Sequence, residues 1–87
     1  MSLHRLNPKR DANEFQICTT LRTLGCRVLR LSGKGVPDLA VYSRGRWYLV
    51  EVKTEKGKLT AEQKHWGPEV KVWRSVDQAV QELGLIT

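Results

Sequence analysis

Residues 38–53, DLAVYSRGRWYLVEVK, constrain this chain more than any other segment. Asp38 to Ser43 and Arg46 to Lys53 read as two strands around an Arg44-Gly45 turn. With a two-residue loop, Tyr42 meets Trp47, Ala40 meets Leu49 and Asp38 meets Glu51. Opposed side chains hold their Cβ atoms roughly 4.5–5.5 Å apart, where like charges repel. Strand side chains alternate faces, so Glu51 and Lys53 point the same way as Asp38. Two carboxylates and an amine converge, and a divalent cation between the carboxylates would turn their repulsion into binding. Without one, deleting either carboxylate is expected to raise stability slightly. A three-residue loop would shift the register, and Arg-Gly is a weaker turn signal than Asn-Gly. The plain alternative makes Glu51 and Lys53 part of a solvated face. Against it, Ala40, Leu49 and Trp47 on the same face are apolar.

The rest of the chain supplies the elements around this hairpin. Asp11 and Glu14 have the spacing of a helix N-cap and its N3 partner, opening a helix that runs to about Leu24. Gly25 then suits the left-handed C′ position. Cys26 to Leu31 predicts a strand, broken by Ser32-Gly33-Lys34-Gly35. Thr60 and Gln63 make a second capping box for a short helix that Gly67-Pro68 ends. Val70 to Arg74 is a fourth strand. Ser75 and Gln78 cap a last helix with Val76, Ala79, Val80 and Leu83 as its apolar stripe, stopped by Gly84. Helix, three strands, helix, strand, helix gives a mixed α/β (α+β) fold, a mixed sheet flanked by helices.

At 87 residues this is a single domain, with residues 1–10 expected as a flexible basic tail and 11–84 as the core. A core this small often gains stability from a second subunit, and Trp66 or Trp73 could supply the contact. Hydrophobic residues at 40% and charged residues at 28% describe an ordinary globular protein. Lys and Arg outnumber Asp and Glu by 15 to 9, which suits a polyanion such as nucleic acid. No apolar run approaches the roughly 20 residues of a membrane span. Met1 to Arg10 lacks the apolar stretch of a secretory signal, so the expected location is cytoplasmic. Cys18 and Cys26 fall at core-facing positions without ligand spacing, and read as small hydrophobes.

Three further groups bear on function. Glu14 shares a helix face with Ile17, Cys18 and Leu21, and a carboxylate aimed at a core needs a partner. Capping and a functional role stand equally open for it. The Thr60 capping box fully explains Gln63 on its own. Lys34 between Gly33 and Gly35, and Lys56 and Lys58 after Lys53, lie in loops beside the proposed site, where phosphate contacts would fall. Arg44 and Arg46 add charge at the hairpin tip. His4 and His65 have no partner at ligand spacing.

Taken together, Gly35-Val36-Pro37-Asp38-Leu39, Glu51-Val52-Lys53 and Gln63, with Glu14 ahead of them and Leu59-Thr60 leading to Gln63, resemble the PD-(D/E)XK nuclease superfamily, and most of all its VRR-NUC branch. The resemblance runs from Glu14 to about Val76. It implies a restriction-endonuclease-like core spanning one nuclease domain, residues 1–87. It further implies that Asp38, Glu51 and the Val52 backbone carbonyl hold Mg²⁺ or Mn²⁺, with Glu14 joining through water. Lys53 would orient the attacking water and stabilise charge on the scissile phosphate. Glu14 and Gln63 match the family's helix carboxylate and motif glutamine. The implied reaction is in-line phosphodiester hydrolysis leaving a 5′-phosphate. Stand-alone members resemble Holliday junction resolvases, which implies a homodimer preferring branched DNA such as four-way junctions. Pro68 is a departure, shortening a helix that is often longer in relatives. The rivals are a general or single-strand-nicking nuclease, a non-catalytic DNA-binding module on the same fold, and a basic RNA-binding or assembly protein. Metal dependence separates them.

Overall fold

The hairpin at the centre of the sequence is also the centre of the fold. In the computed structural model, which describes residues 8–59 and 61–85, β2 (Leu39–Ser43) and β3 (Arg46–Val52) pair antiparallel from Ser43↔Arg46 to Leu39↔Val50. Arg44 at φ 52 and Gly45 at φ 85 form the two-residue turn. Left-handed conformation at both central residues gives a type I′ turn, whose twist matches the flanking strands. The expected register is the observed one.

Outside the hairpin, β1 (Arg27–Arg30) pairs antiparallel with β2, and β4 (Val70–Trp73) pairs parallel with β3. The sheet has the order β1-β2-β3-β4. Helix α1 (Pro8–Thr23) and helix α3 (Val76–Glu82) form one layer. The parallel β3-to-β4 connection carries helix α2 (Ala61–Lys64) and a 3-10 turn, Gly67–Glu69. This is the mixed sheet flanked by helices that the element order predicts.

The core fills the space between the sheet and the α1–α3 layer. Ile17, Cys18 and Leu21 of α1 and Ala79, Val80 and Leu83 of α3 meet Val28, Leu39, Val41, Val50, Val52 and Trp73 of the sheet. Truncating a buried Leu or Ile in such a core costs about 2–5 kcal/mol. After α1, Cys26 N–H returns to the Leu21 carbonyl at 2.9 Å while Gly25 takes φ 95, a glycine C-cap that turns the chain into β1. Ser75 caps α3, its hydroxyl accepting the Gln78 N–H at 3.1 Å.

Two expectations need correction. Helix α1 already includes Pro8, so Asp11 lies inside the helix rather than at its N-cap. An acid near the start of a helix complements the helix dipole without capping it. Trp73 is fully buried within the chain, its indole N–H donating to Glu82 at 2.9 Å. It is therefore core and cannot serve a subunit contact. The expected basic tail up to residue 7, and Thr60 of the second capping box, lie outside the described residues.

Candidate active site

The site grows from the end of the β2–β3 ladder. One step beyond Leu39↔Val50, Asp38 stands opposite Glu51. Asp38 keeps its main chain paired with the first strand, its carbonyl accepting Leu31 N–H at 2.8 Å. Its side chain turns to β3 instead, where Oδ2 accepts the Val52 N–H at 2.8 Å. A carboxylate thus serves as acceptor for a strand amide.

Glu51 points away from its neighbours Val50 and Val52 and is only 4% exposed. A buried carboxylate needs donors. Gln63, delivered by α2, donates its side-chain amide to Glu51 Oε2. Lys53 places Nζ 3.8 Å from the same oxygen. Around them a cavity of about 250 Å³ is lined by Glu51, Leu59, Gln63, Trp66, Val70 and Val72. Trp66 fixes its rim, the indole N–H donating to the Gly35 carbonyl at 3.0 Å. The glycine loop ahead of Asp38 is thereby tied to the segment carrying Gln63.

Glu14 is buried, as its place on α1 predicts, at 5% exposure. Its Oε2 accepts from Arg30 Nε at 2.9 Å. It does not complete a carboxylate cluster with Asp38 and Glu51, since among the described residues no three His, Cys, Asp or Glu side chains gather at metal-binding distance. The donor set on the sheet is two carboxylates with the Val52 carbonyl beside them. Hard oxygen donors few in number suit Mg²⁺, which keeps several of its waters.

Neither family models nor curated proteins match the sequence. Among solved structures, a VRR_NUC domain is similar at 30% identity and TM-score 0.66, over 85% of this chain and 95% of that one. The chain belongs to the VRR_NUC family. It is a nuclease-family domain with a restriction-endonuclease-like fold.

In this VRR_NUC domain the basic loops lie at the same end of the sheet as the carboxylates. Lys34, Lys56 and Lys58 are exposed, and Gly33 and Gly35 keep positive φ at 131 and 75. Two residues missed in the sequence hold this end together. Asn13 Nδ2 donates to the Lys53 carbonyl at 2.9 Å and to the Arg74 carbonyl at 3.0 Å. It therefore pins the backbone of Lys53 against β4 from the α1 side. Asn13 stands four residues before Ile17 and eight before Leu21, a polar residue at the head of an apolar stripe, which is the signal that could have found it. Arg74 extends the clamp, donating to the Thr54 carbonyl at 2.8 Å and to that of Gly57. It shapes the loop that carries Lys56. Nothing in the local pattern marks Arg74.

Cys18 sits behind Glu14. Burial pushes its thiol above the ordinary range, and the Glu14 charge adds to the rise. Both cysteines are buried and neither forms a disulfide. Among the described residues no helix is long and apolar enough to cross a membrane.

Proposed function

We propose that this VRR_NUC domain is a metal-dependent DNA endonuclease acting in the cytoplasm as a homodimer, with branched DNA such as a four-way junction as its preferred substrate. The observation that carries the reading is the set of groups on Glu51. A buried carboxylate faces Asp38 across the strand pair while Lys53 and Gln63 both address one of its oxygens. A protein that only binds DNA gains nothing from carboxylates turned towards phosphates.

Asp38, Glu51 and the Val52 carbonyl would hold Mg²⁺, with Mn²⁺ able to substitute and Glu14 contributing through water. Bound there, the ion supplies Lewis acidity to the phosphoryl oxygen and lowers the pKa of a bound water. Lys53 orients the attacking water and offsets charge developing on the phosphate. Gln63 holds the Glu51 carboxylate in one orientation. Gly33, Lys34, Gly35, Lys56 and Lys58 contact the DNA backbone, a sequence-independent attraction weakened by salt.

The test is a cleavage panel of junction, flap, splayed, duplex and single-stranded DNA with Mg²⁺, beside light scattering for mass. Cleavage is expected to vanish with a chelator and to fall at least about a hundredfold in Asp38→Ala, Glu51→Ala and Lys53→Ala, with the fold intact. Chelator-resistant cutting, or full activity in Asp38→Ala, would sink the metal-dependent reading. Duplex cut as fast as junction would leave a general nuclease.

A further inference from the structure

We propose that the cavity beside Glu51 receives one unpaired nucleobase of the DNA, on a nucleotide directly flanking the scissile phosphate. The inference rests on the endonuclease reading above and adds which part of the DNA is read and why branched forms are preferred.

Sheet order sets β2, with Asp38 at its end, on one flank of Glu51 and β4 on the other. Val72 stands opposite Glu51, and Val70 stands opposite Leu49. Val70 and Val72, with Leu59 and Trp66, line the cavity of about 250 Å³ that Glu51 also borders. A phosphodiester engaged by Asp38 and Glu51 carries its nucleosides only a few bonds away. The cavity is therefore within reach of a flanking base and of no distant one. Its wall suits a base better than a backbone. Contacts to phosphate and sugar are polar, whereas Leu59, Trp66, Val70 and Val72 offer apolar surface. Every base has a π-face and stacks on aromatic rings whatever the sequence. Trp66 is half-buried, and the bond from its indole N–H to the Gly35 carbonyl at 3.0 Å holds the ring by one edge. Lys64, exposed at the rim, adds a cation for the phosphate that any nucleotide brings with it.

Size makes the cavity selective. At about 250 Å³ it falls below the roughly 300–1,000 Å³ of pockets that take drug-sized ligands, so it admits one ring system and not a base pair. A base within a duplex must leave its stack to enter. That step costs least for a base that is mismatched or already unpaired. Bulges and flaps offer such bases, and branch points release them more readily than a duplex interior does. The preference for branched DNA then originates one nucleotide from the cut, in a single base that the cavity accepts.

The experiment takes the full chain, Mg²⁺ and a duplex carrying one bulged thymidine, with circular dichroism to verify folding of each variant. Cleavage should fall at a phosphate flanking the bulge. Replacing the bulged thymidine by an abasic tetrahydrofuran should lower kcat/KM about tenfold for the wild type, the scale of one base–aromatic stack. Trp66→Ala should cut the intact substrate about tenfold more slowly and make no distinction between intact and abasic forms. Trp66→Phe, which keeps a ring, should retain most of the distinction. Iododeoxyuridine in place of the bulged thymidine reads the wild type directly, whatever the variants do. Irradiation should cross-link it to Trp66. Cross-linking to Trp47 or Tyr42 on the exposed sheet face, or equal wild-type rates on intact and abasic substrates, overturns the proposal and leaves the endonuclease reading standing. A chain that cuts no DNA with Mg²⁺ overturns both.

Discussion

The Asp38 carboxylate accepts the backbone N–H of Val52 at 2.8 Å, so one candidate metal ligand anchors the strand that carries the other. This changes the energetics expected from two facing acids. Asp38 is compensated by an amide and Glu51 by Gln63 and Lys53, so their mutual repulsion is already offset in the free protein.

Asp38→Ala should therefore lower stability by about 1 kcal/mol, because the Val52 amide loses its acceptor. This reverses the slight gain that repulsion alone would predict. Asp38→Asn, which keeps an acceptor oxygen, should lose less. Urea melts of both variants without metal decide the matter, and an Asp38→Ala protein more stable than wild type would restore the repulsion picture.

Gln63→Ala should cut the cleavage rate by about tenfold with little change in DNA affinity, since the residue holds Glu51 and not the substrate. Gln63→Glu should be worse, setting a second carboxylate against the first. Single-turnover kinetics at saturating DNA separate the two effects. A loss confined to affinity would place Gln63 on the DNA instead.

Asn13→Ala should destabilise the chain by about 1–3 kcal/mol, leaving the carbonyls of Lys53 and Arg74 without this donor. Asn13→Asp should be no better, because a carboxylate cannot donate. Equal melts for wild type and both variants would remove Asn13 from the structural account.

Cys18 should resist alkylation by iodoacetamide in the folded protein through mildly alkaline pH. Its thiol is pushed up by burial, so the reactive thiolate is scarce where an unfolded cysteine already ionises. The sign for stability follows from the same shift. The native state keeps the proton longer, so stability falls as pH climbs through the ordinary thiol range, near about 8.5. Mass spectrometry after a timed pulse, with and without urea, reads the first effect.

Much of this was legible in the sequence because the hairpin is local. A two-residue turn fixes the register, and the register fixes the position of Asp38 opposite Glu51. The apolar stripe of α3 and its Ser75 cap were legible for the same reason. Helix α1 was misjudged at its start because Asp11 has the chemistry of a cap, while the helix already includes Pro8 to Arg10 ahead of it. Glu14 was rightly expected to be buried, but its partner Arg30 comes from a different element. Asn13 heads the apolar stripe of α1, but its acceptors, the Lys53 and Arg74 carbonyls, lie far along the chain, and Arg74, which also acts on distant carbonyls, leaves no periodic trace at all. Trp73 carried no sign of which side of β4 it would face until the parallel register with β3 was known.

Helix α2 spans only Ala61–Lys64, a single turn that is far below the length at which a helix persists alone in water. Its order is therefore borrowed from Gln63 on Glu51 and, next door, Trp66 on Gly35. The segment that completes the site should then belong to the least protected part of the domain, opening locally while the sheet stays closed. Amide exchange in α2 would outpace that in β2 and β3, and occupation of the carboxylates by a ligand would slow it. Recognition and local folding would be one event at this end of the molecule.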